Sequence, residues 1–593
     1  MHLDNNDTKT TASAETCSAG AAGATGAVGV AGAAGAAGAV GSAGATVQAI
    51  NSTMLATPKN PEQILSHVQF GTDGWRAIIN KDFNTGTLAR VAEATAKVFR
   101  EDNPLAPTQN NDEQGHAPQS DLKNGSEGFS TKNTIIIGYD CRQDAGRYAA
   151  FFAAIIARHG FDVRISDSYC PTPALCWSVA HEPQAVGGVM LTSSHNPAEW
   201  LGVKLRMSDG GASPKAFSDR VEDAMQLKLP ESYERALQVA ELAGNGEPGL
   251  RAQPISIAPE LHFVDLMQPY LNELFNFVDT KAISAANLRV VVDPLYGAGR
   301  GYLSALLAAA GVEVVEINNA SDPSFAGLHP EPILPWIKAG LDKTSELGYD
   351  ACFITDGDAD RIGAGDAQGN FVNPHRILTL LVAHLMQRDT KGALPNRVVR
   401  TLSGSNLVKR QCERLGLKLT TTPIGFKWIY EQMLSGDVLI GGEESGGIGI
   451  PTHVRERDGL LMALLLTELM ALKGKGLGVL VSDLLTDLGN FDYARRDLKL
   501  NEEQKSLFML EHAHASKLAC EYQHLFDSLA ETITAIDRRD GLHLSFASDA
   551  WLLMRPSGTE PLVRVYAEAT TTKRVQELLD IGCSIASGTK LLS

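Results

Sequence analysis

Short apolar runs alternate with helical patterns along most of the chain, and three segments repeat the same order of elements. In each segment an apolar run typical of a strand is followed by a helix, a second apolar run and a loop dense in polar residues. The three predicted loops are Thr192–Pro197, Asp356–Arg361 and Gly441–Gly446. This alternation favours α/β layers, in which ligands usually bind at loops beyond the carboxyl ends of the strands.

Individual elements follow from the same patterns. Thr134–Tyr139 and Ala185–Leu191 are predicted strands of the first segment, and Ala351–Thr355 is the predicted strand before the second loop. We predict a helix over residues 299–310 and a strand over residues 438–440, directly before the third loop.

The pattern changes from about residue 490 onward. Leu542–Phe546 and residues 551–554 are predicted strands, and the polar loop Arg555–Pro561 follows them. A further strand and a closing helix complete what we predict to be a smaller α+β domain. The predicted organisation is a tail over residues 1–60, α/β domains over 61–250 (with a polar insertion at about 103–132), 251–368 and 369–489, and the α+β domain over 490–593.

Composition excludes several classes of protein. A formal net charge of -17 lacks the basic footprint of a nucleic-acid-binding protein. The eight cysteines form no CxxC pair and predict neither a zinc site nor a disulfide framework, which fits a reducing cytoplasm. The densest apolar run, residues 460–472, is interrupted by Thr467 and Glu468 and is too short to span a bilayer. We therefore expect a core helix there, and no membrane partner.

The N-terminus has an unusual repeat. From Gly20 to Thr46 a glycine recurs at every third position for nine triplets, but the tract contains no proline, which collagen helices normally need. A secretory signal is disfavoured because a basic n-region and a leucine-rich core are absent, and no arginine precedes Arg76, which disfavours a transit peptide. We expect a flexible tail that takes no part in catalysis, and a cytoplasmic location.

Asp356, Asp358 and Asp360 alternate with small residues directly after an apolar strand. Three carboxylates this close repel one another unless a hard cation lies among them, and Mg²⁺ suits such a site. An EF-hand is excluded because its sixth position would be Arg361 rather than glycine. The alternative is an exposed acidic turn, which accounts neither for the preceding strand nor for the adjacent arginine.

Two further loops offer phosphate and hydroxyl chemistry. Ser194 would be presented at a loop where His195 can orient or neutralise an attached phosphate, although these residues also form ordinary turns. The loop that begins at Arg555 offers a guanidinium, two hydroxyls and a glycine N–H, a set that can surround a phosphate, and Arg564 can add a second charge. No G-x-x-x-x-G-K-[ST] motif is present, so a nucleotide-binding P-loop is not indicated.

Taken together and in this order, the loops resemble those of the α-D-phosphohexomutase superfamily of phosphoglucomutases and phosphomannomutases. The resemblance extends from about Phe70 to Ala569. It rests on Thr192–Pro197, Asp356–Arg361, Gly442–Gly446 and Arg555–Pro561, with further matches at Phe70–Arg76, Gly138–Arg142, Gly202–Lys204, Asp322–Phe325 and Thr422–Lys427.

The resemblance implies a heart-shaped molecule of three related α/β domains and a smaller C-terminal α+β domain, with one active-site loop from each. It implies a phosphoserine at Ser194, and one Mg²⁺ held by Asp356, Asp358, Asp360 and that phosphoserine. The other implied residues are Lys204 (a candidate for proton transfer) and Arg76 in catalysis, Lys427, Glu443 and Ser445 in sugar-phosphate binding, and Arg555, Ser557, Gly558 and Thr559 at the non-reacting phosphate. To these we add His195 as a catalytic candidate and Arg361 and Arg564 as substrate-binding candidates.

Two departures from the family pattern limit this transfer of roles. The family often has histidine two residues beyond the sugar-loop serine, where this chain has Gly447. The family's Tyr-Asn-Gly-x-Lys segment is replaced by Trp200–Lys204, which lacks the asparagine. The identity of the general acid or base is therefore left open.

The function implied is the interconversion of hexose 1-phosphate and hexose 6-phosphate through a hexose 1,6-bisphosphate, which also serves as activator. Glucose is favoured as substrate, with mannose or dual use as the alternative, and glucosamine is not excluded. A haloacid-dehalogenase-type phosphatase is disfavoured because Asp360 and Arg361 replace the expected continuation after Asp358. A dinucleotide site at Gly297–Gly301 and a non-catalytic sugar-phosphate-binding protein remain weaker alternatives. We expect a monomer or a dimer.

Overall fold

The computed structural model describes residues 68–71, 73–104, 132–243, 258–259, 261–389, 392–513, 518–557 and 561–588. Four sheets lie within these residues. The predicted tail over residues 1–60 and most of the predicted insertion at 103–132 lie outside the described residues.

The first sheet has six strands in the order β1-β5-β4-β2-β3-β6. Strands β2, β3, β4 and β6 are parallel. At one edge β5 is antiparallel to β4, and β1 is antiparallel to β5 and so runs in the same direction as β4. Its central strands are buried because helices cover both faces, as parallel sheets require. The elements are β1 (Trp75–Ile78), α1 (Thr85–Asp102), β2 (Thr134–Tyr139), α2 (Ala145–Ala157), β3 (Asp162–Ser166), α3 (Thr172–His181), β4 (Ala185–Leu191), β5 (Trp200–Met207), α4 (Lys215–Ala224), α5 (Tyr233–Ala243) and β6 (Leu261–Val264).

The second sheet has the order β11-β10-β9-β7-β8, in which β7, β8 and β9 are parallel. Strand β10 is antiparallel to both of its neighbours, β9 and β11. The predicted helix over residues 299–310 begins later, at Tyr302, because Gly301 has a left-handed φ of 77°. The elements are α6 (Met267–Phe277), α7 (Thr280–Ala285), β7 (Arg289–Asp293), α8 (Tyr302–Ala309), β8 (Glu313–Glu316), α9 (Lys338–Leu347), β9 (Ala351–Thr355), β10 (Ile362–Asp366) and β11 (Phe371–Val372).

The third sheet has the order β13-β12-β14-β15, in which β15 is antiparallel to the other three strands. The predicted strand over residues 438–440 extends to Gly442. Helix α13 is buried over residues 459–470, which confirms the predicted core helix. The elements are α10 (Pro374–Arg388), β12 (Arg397–Thr401), α11 (Asn406–Leu415), β13 (Lys418–Thr422), α12 (Phe426–Met433), β14 (Val438–Gly442), β15 (Ile448–Gly449), α13 (Gly459–Lys473) and α14 (Leu477–Leu488).

The fourth sheet, β16-β20-β19-β18-β17, is antiparallel throughout and has its own apolar core. None of the helices in the described residues is both long and apolar enough to cross a membrane. The elements are β16 (Asp492–Lys499), α15 (Glu502–Phe508), α16 (Ala519–Gln523), β17 (Ile533–Asp537), β18 (Leu542–Phe546), β19 (Trp551–Pro556), β20 (Leu562–Ala569) and α17 (Thr572–Ser587).

The four loops singled out from the sequence occupy equivalent places in these sheets. Each loop connects a strand to its antiparallel neighbour: β4 to β5, β9 to β10, β14 to β15, and β19 to β20. In the first three sheets the strand that leads into the loop runs parallel to the central strands, so the loop follows its carboxyl end. The repeated order of elements in the sequence therefore corresponds to one loop position in each of three related sheets.

Candidate active site

Ser194 lies in the loop between β4 and β5, buried against the second sheet's loop. Its Oγ donates a hydrogen bond to Asp356 Oδ2 at 3.0 Å and lies 3.2 Å from His195 Nδ1. Its backbone has a φ of 50°, in the left-handed region that non-glycine residues seldom adopt. Such a backbone is strained and persists only where neighbouring groups hold it. The predicted phosphate carrier thus meets the predicted metal loop across the two domains.

Arg142 supplies much of that support, and sequence reasoning assigned it no role. Its Nε pairs with Asp140 Oδ2 at 3.0 Å, and both side chains are fully buried. Its two Nη nitrogens donate to three carbonyl oxygens of the serine loop and to one at the start of β5, which holds the loop in place. The matching stretch Gly138–Arg142 was the only signal in the sequence. The four acceptors are the carbonyl oxygens of Ser194 (2.6 Å), Asn196 (2.7 Å), Pro197 (2.6 Å) and Trp200 (3.0 Å).

Asp356, Asp358 and Asp360 follow β9, and all three side chains are fully buried. One carboxylate oxygen from each lies within 4.8 Å of the others. Within the described part of the chain, Oδ1 of Asp358 and Oδ1 of Asp360 are buried and accept no hydrogen bond. Asp360 Oδ1 lies 3.9 Å from the Arg361 guanidinium. Leaving buried carboxylate oxygens without a hydrogen bond is costly, and a hard cation with oxygen ligands removes that cost. The residues present therefore fit Mg²⁺.

Lys204 lies on β5 with its ammonium among three carboxylates. Its Nζ is 2.7 Å from Asp358 Oδ2, 3.0 Å from Asp360 Oδ2 and 3.0 Å from Asp73 Oδ2. Burial alone would lower the pKa of Lys204, but these three carboxylates raise it above its usual value. An ammonium held charged in this way compensates the acidic cluster well and releases its proton poorly. Lys204 therefore lies where its charge compensates the acidic cluster, and its part in proton transfer stays a prediction.

The three aspartates do not share one electrostatic environment. Burial, together with repulsion from Asp360 and Asp358, raises the pKa of Asp356 well above its usual value. Burial acts on Asp358 in the same direction, but the Lys204 ammonium and the Thr172 hydroxyl outweigh it and lower the pKa of Asp358. The hydroxyl of Thr172 donates to Asp358 Oδ2 at 2.6 Å. Repulsion within the cluster therefore falls mainly on Asp356, which also accepts the Ser194 hydroxyl.

Arg457 is a second cation of the acidic cluster, and no sequence pattern indicated it. Its Nη2 lies 2.7 Å from Asp360 Oδ2 and also pairs with Asp73. Its Nε donates to Glu456 Oε1 at 3.1 Å. Asp73 thus receives both Arg457 and Lys204, which come from different domains of the molecule. No strand-loop motif marks residue 457, so only the folded chain reveals this contact.

His195 and Arg76 adjoin the serine. Burial, with the nearby positive charges of Arg361 and Arg76, lowers the pKa of His195 well below its usual value. A neutral imidazole favours the orienting role expected for His195 over neutralisation of a phosphate. Arg76 Nη1 donates to Asn196 Oδ1 at 3.0 Å and so lies beside the same loop.

The sugar-loop residues Glu443 and Ser445 follow β14. Glu443 Oε1 accepts the Gly425 N–H at 3.1 Å, and burial raises the pKa of Glu443 to about 7, against the opposing effect of Arg457. Ser445 is half-buried. The loop is joined to the metal loop by the backbone, since the Ile362 N–H donates to the Gly446 carbonyl at 3.0 Å. Two of the predicted loops therefore form one connected wall.

Arg361 is the last residue of the metal loop Asp356–Arg361. Its Nη1 lies 3.3 Å from Glu331 Oε1, and its Nε lies 3.9 Å from both Asp356 Oδ2 and Asp360 Oδ1. Glu331, which sequence reasoning did not single out, is 7% exposed and thus holds this guanidinium from inside the second domain. Arg361 thus lies between Glu331 and the carboxylates of the metal loop.

The fourth loop belongs to the hairpin of β19 and β20. Arg555 lies opposite Arg564 in the strand register, and Arg564 Nε lies 3.8 Å from Asp497 Oδ2. Arg555 Nε donates to both carboxylate oxygens of Asp540 at 2.9 Å. Ser557 is buried, whereas the predicted Gly558 and Thr559 lie outside the described residues.

Lys427 lies in the first turn of α12. Burial lowers its pKa against the opposing charge of Glu431, and the positive charges of Lys215 and Arg555 add smaller effects in the same direction as burial. Its Nζ lies 5.0 Å from the centre of the Trp428 ring. A half-buried ammonium whose charge is made less favourable by burial is suited to receive an anion such as a phosphate.

Comparison with protein families matches four family models along the chain, each described as a phosphoglucomutase/phosphomannomutase domain. The three alpha/beta/alpha domain models match residues 122–230 (I), 268–369 (II) and 373–488 (III). The C-terminal domain model matches residues 529–581. The four matched regions contain the serine loop, the metal loop, the sugar loop and the phosphate loop, in that order.

Individual relatives cover most of the chain. A phosphoglucomutase/phosphomannomutase of Thermococcus kodakarensis is 30% identical over 451 residues, which are 76% of this chain and 89% of the relative. A phosphoglucosamine mutase of Carboxydothermus hydrogenoformans is 27% identical over 519 residues, 86% of this chain and 97% of the relative. A solved structure from Thermus thermophilus is 30% identical with a TM-score of 0.68, and the match covers 87% of this chain and 98% of that one.

Proposed function

The chain belongs to the α-D-phosphohexomutase superfamily and is a phosphotransferase of the isomerase type. On this premise we propose that it interconverts hexose 1-phosphate and hexose 6-phosphate, with glucose as the preferred sugar. The phosphate is carried on Ser194, and a hexose 1,6-bisphosphate is the intermediate and the activator. The alternative within the family is mannose or dual use.

One observation carries the proposal: the Ser194 hydroxyl donates to Asp356 within a buried carboxylate cluster. A serine that forms an ordinary turn has no reason to meet a metal-type triad from another domain. The strained backbone of Ser194, held by Arg142, is the kind of feature that recurs at reactive residues.

The first transfer forms a bond between the phosphorus of phosphoserine 194 and the free hydroxyl oxygen of the bound hexose monophosphate. The bond from phosphorus to Ser194 Oγ breaks, the attacking hydroxyl loses its proton, and the serine oxygen gains one. The hexose 1,6-bisphosphate then turns over, and its other phosphate returns to Ser194 by the same exchange of bonds. Catalysis of such transfers consists mostly of positioning and charge compensation.

The chain's own residues divide this work. Lys204 and Arg457 balance the charge of the acidic cluster, His195 and Arg76 orient the serine loop, and Arg361 reaches the cleft from the second domain. Ser194, Asp356, Asp358 and Asp360 would hold Mg²⁺, which when bound supplies positive charge to phosphate oxygens.

Substrate contacts come from the third and fourth domains. Glu443 and Ser445 would bind sugar hydroxyls, and Lys427 would attract the phosphate. The remaining residues proposed at the non-reacting phosphate are Arg555, Ser557, Gly558, Thr559 and Arg564.

Identifying the residue that carries the phosphate tests the proposal. Protein incubated with isotopically labelled glucose 1,6-bisphosphate should gain one acid-stable phosphate on the peptide that contains Ser194. Ser194→Ala should abolish both the labelling and the conversion of glucose 1-phosphate to glucose 6-phosphate. Ser193→Ala is the matched control, because Ser193 is equally buried and adjacent but its hydroxyl makes no hydrogen bond in the described residues. It should keep both.

A different result would reject the mutase mechanism. Base-labile label on Asp356, release of free phosphate and full activity in Ser194→Ala would indicate a phosphatase with an aspartyl nucleophile. Initial rates with glucose, mannose and glucosamine 1-phosphates test the sugar preference separately, since relatives carry names for all three sugars. A rate with mannose or glucosamine 1-phosphate above that with glucose 1-phosphate would overturn the preference but not the mechanism.

A further inference from the structure

Within the part of the chain that the structure describes, Arg555 is held at one end of its guanidinium. Its Nε donates to Asp540 Oδ1 and Oδ2, both at 2.9 Å, and 16% of its side chain is exposed. In the described part of the chain its two Nη nitrogens make no hydrogen bond. A guanidinium fixed at Nε retains two parallel donors, which is the arrangement that binds a phosphate in a bidentate manner.

Asp540 is itself fixed by its place in the sheet. It lies two residues before β18, and the first residue of that strand, Leu542, pairs with Met554, the neighbour of Arg555. Gly541, between Asp540 and Leu542, has a φ of 100°, and a β-carbon there would lie 2.4 Å from the Met554 carbonyl oxygen. This close turn keeps the carboxylate beside the guanidinium.

The same carboxylate reaches the third domain. Asp540 Oδ2 accepts the N–H of Ile424 at 2.8 Å. Ile424 lies between β13 and α12, three residues before Lys427, and so belongs to the loop that presents that cation. One side chain thus contacts both the guanidinium of the fourth loop and the backbone of the Lys427 loop.

Other contacts between these two domains provide a comparison. Glu568 Oε1 accepts the Asn406 N–H at 2.7 Å, and Asp549 Oδ2 pairs with Arg410 Nη2 at 2.7 Å. Both join the fourth domain to the third, but neither touches Arg555 in the described residues. Asp540 therefore differs from a simple docking contact by its bond to the phosphate-loop arginine.

We propose that Asp540 is a positioning residue that holds Arg555 by Nε, so that both Nη nitrogens are ready to bind the non-reacting phosphate, and that it sets this donor pair relative to Lys427. The inference rests on the proposed function, because it assumes that Arg555 binds substrate phosphate. It adds a residue that acts through Arg555 without contacting the sugar phosphate.

Asp540→Asn and Asp540→Ala test the inference, with Asp549→Asn as the matched control at the same interface. Asp540→Asn retains an oxygen for the Ile424 N–H, so it preserves folding more closely than Asp540→Ala does. In both Asp540 variants the KM for glucose 1-phosphate should rise by about tenfold, and competitive inhibition by inorganic phosphate should weaken by the same factor. The kcat should change by less than about twofold, and Asp549→Asn should match the wild type.

Several outcomes would overturn it. An unchanged KM in Asp540→Asn would show that Arg555 needs no such support, and a lower KM would show that Asp540 competes with phosphate for the arginine. An equal rise in Asp549→Asn would assign the effect to loosened docking. Arg555→Ala distinguishes failure of this inference from failure of the proposed role of Arg555. If the KM rises in Arg555→Ala but not in the Asp540 variants, this inference alone is rejected. An unchanged KM in Arg555→Ala rejects both the arginine's proposed role and this inference.

Discussion

A β-carbon at position 447 would lie 2.3 Å from Cδ of Arg457 and 3.1 Å from its Cγ. The missing side chain of Gly447 is therefore what lets the arginine cross the sugar loop and reach Asp360. The absence of histidine at this position, a departure from the family pattern, has a structural counterpart in a cation that arrives from residue 457.

Gly447→Ala should consequently displace Arg457 from the metal loop. We expect kcat to fall by about tenfold or more, because a barrier increase of about 1.4 kcal/mol follows from even modest loss of charge compensation. Gly476→Ala is the control, since a β-carbon there meets no atom within 4 Å. Steady-state kinetics of Gly447→Ala, Arg457→Ala and the double variant check the coupling. The double variant should be no slower than Arg457→Ala, and strictly additive losses would contradict the shared cause.

Arg142→Ala should destabilise the protein and prevent phosphate labelling of Ser194. The substitution leaves Asp140 as a buried, unpaired carboxylate and removes the donors of four carbonyls, a change worth about 3–5 kcal/mol. Thermal unfolding and labelling by glucose 1,6-bisphosphate measure the two effects. Arg147→Ala, which removes a partly exposed pair with Asp144, should alter neither measurement appreciably. Retained labelling in Arg142→Ala would show that the loop holds its conformation unaided.

Mg²⁺ should raise the melting temperature through the aspartate triad. Binding only to the folded state at a hundred times Kd stabilises by about 2.7 kcal/mol. Asp358→Asn should reduce this rise, because it removes charge from a triad in which, among the described residues, Oδ1 of Asp358 accepts no hydrogen bond. Asp342→Asn, an exposed acid paired with Lys338, should keep the full rise. A rise of equal size in Asp358→Asn, seen by calorimetric melting, would indicate that the metal binds elsewhere.

Glu568 lies at the interface of the third and fourth domains, and its raised pKa predicts that the stability of the protein depends on pH. Burial raises its pKa from 4.5 to about 7, so between these values the folded chain holds a proton that the unfolded chain has lost. Stability should therefore fall as pH rises through this window. Glu568→Gln cannot ionise, so its melting temperature relative to the wild type should increase from about pH 5 to pH 8, by an amount worth at most about 3 kcal/mol. A difference that stays constant or decreases with pH would refute this.

The fold followed from the sequence where local patterns control it. Thr134–Tyr139, Ala185–Leu191 and Ala351–Thr355 form strands with the predicted bounds, because each is a short apolar run bounded by polar residues. The start of α8 was predicted three residues early, since a left-handed glycine interrupts an otherwise helical pattern.

The candidate site, too, was predicted from the sequence only where local patterns mark its residues. Ser194 and the three aspartates stand directly after strands, so a strand-loop pattern identified them. Arg142, Arg457 and Asp540 act on other chain segments through single side chains, and no local pattern marks such contacts. The sequence therefore predicts the groups that would react, whereas only the folded chain shows which groups hold them in place.

At Ser194 the requirements of stability and activity are opposed, because the left-handed backbone is strained while the hydroxyl is the proposed phosphate carrier. Glycine adopts a φ of 50° freely, so Ser194→Gly would relieve strain of about 1–3 kcal/mol while it removes the hydroxyl. Folding on its own would thus be better served by a residue that cannot carry phosphate. A screen that rewards thermal stability alone would enrich inactive protein at this position, and stabilising designs for this enzyme must exclude it.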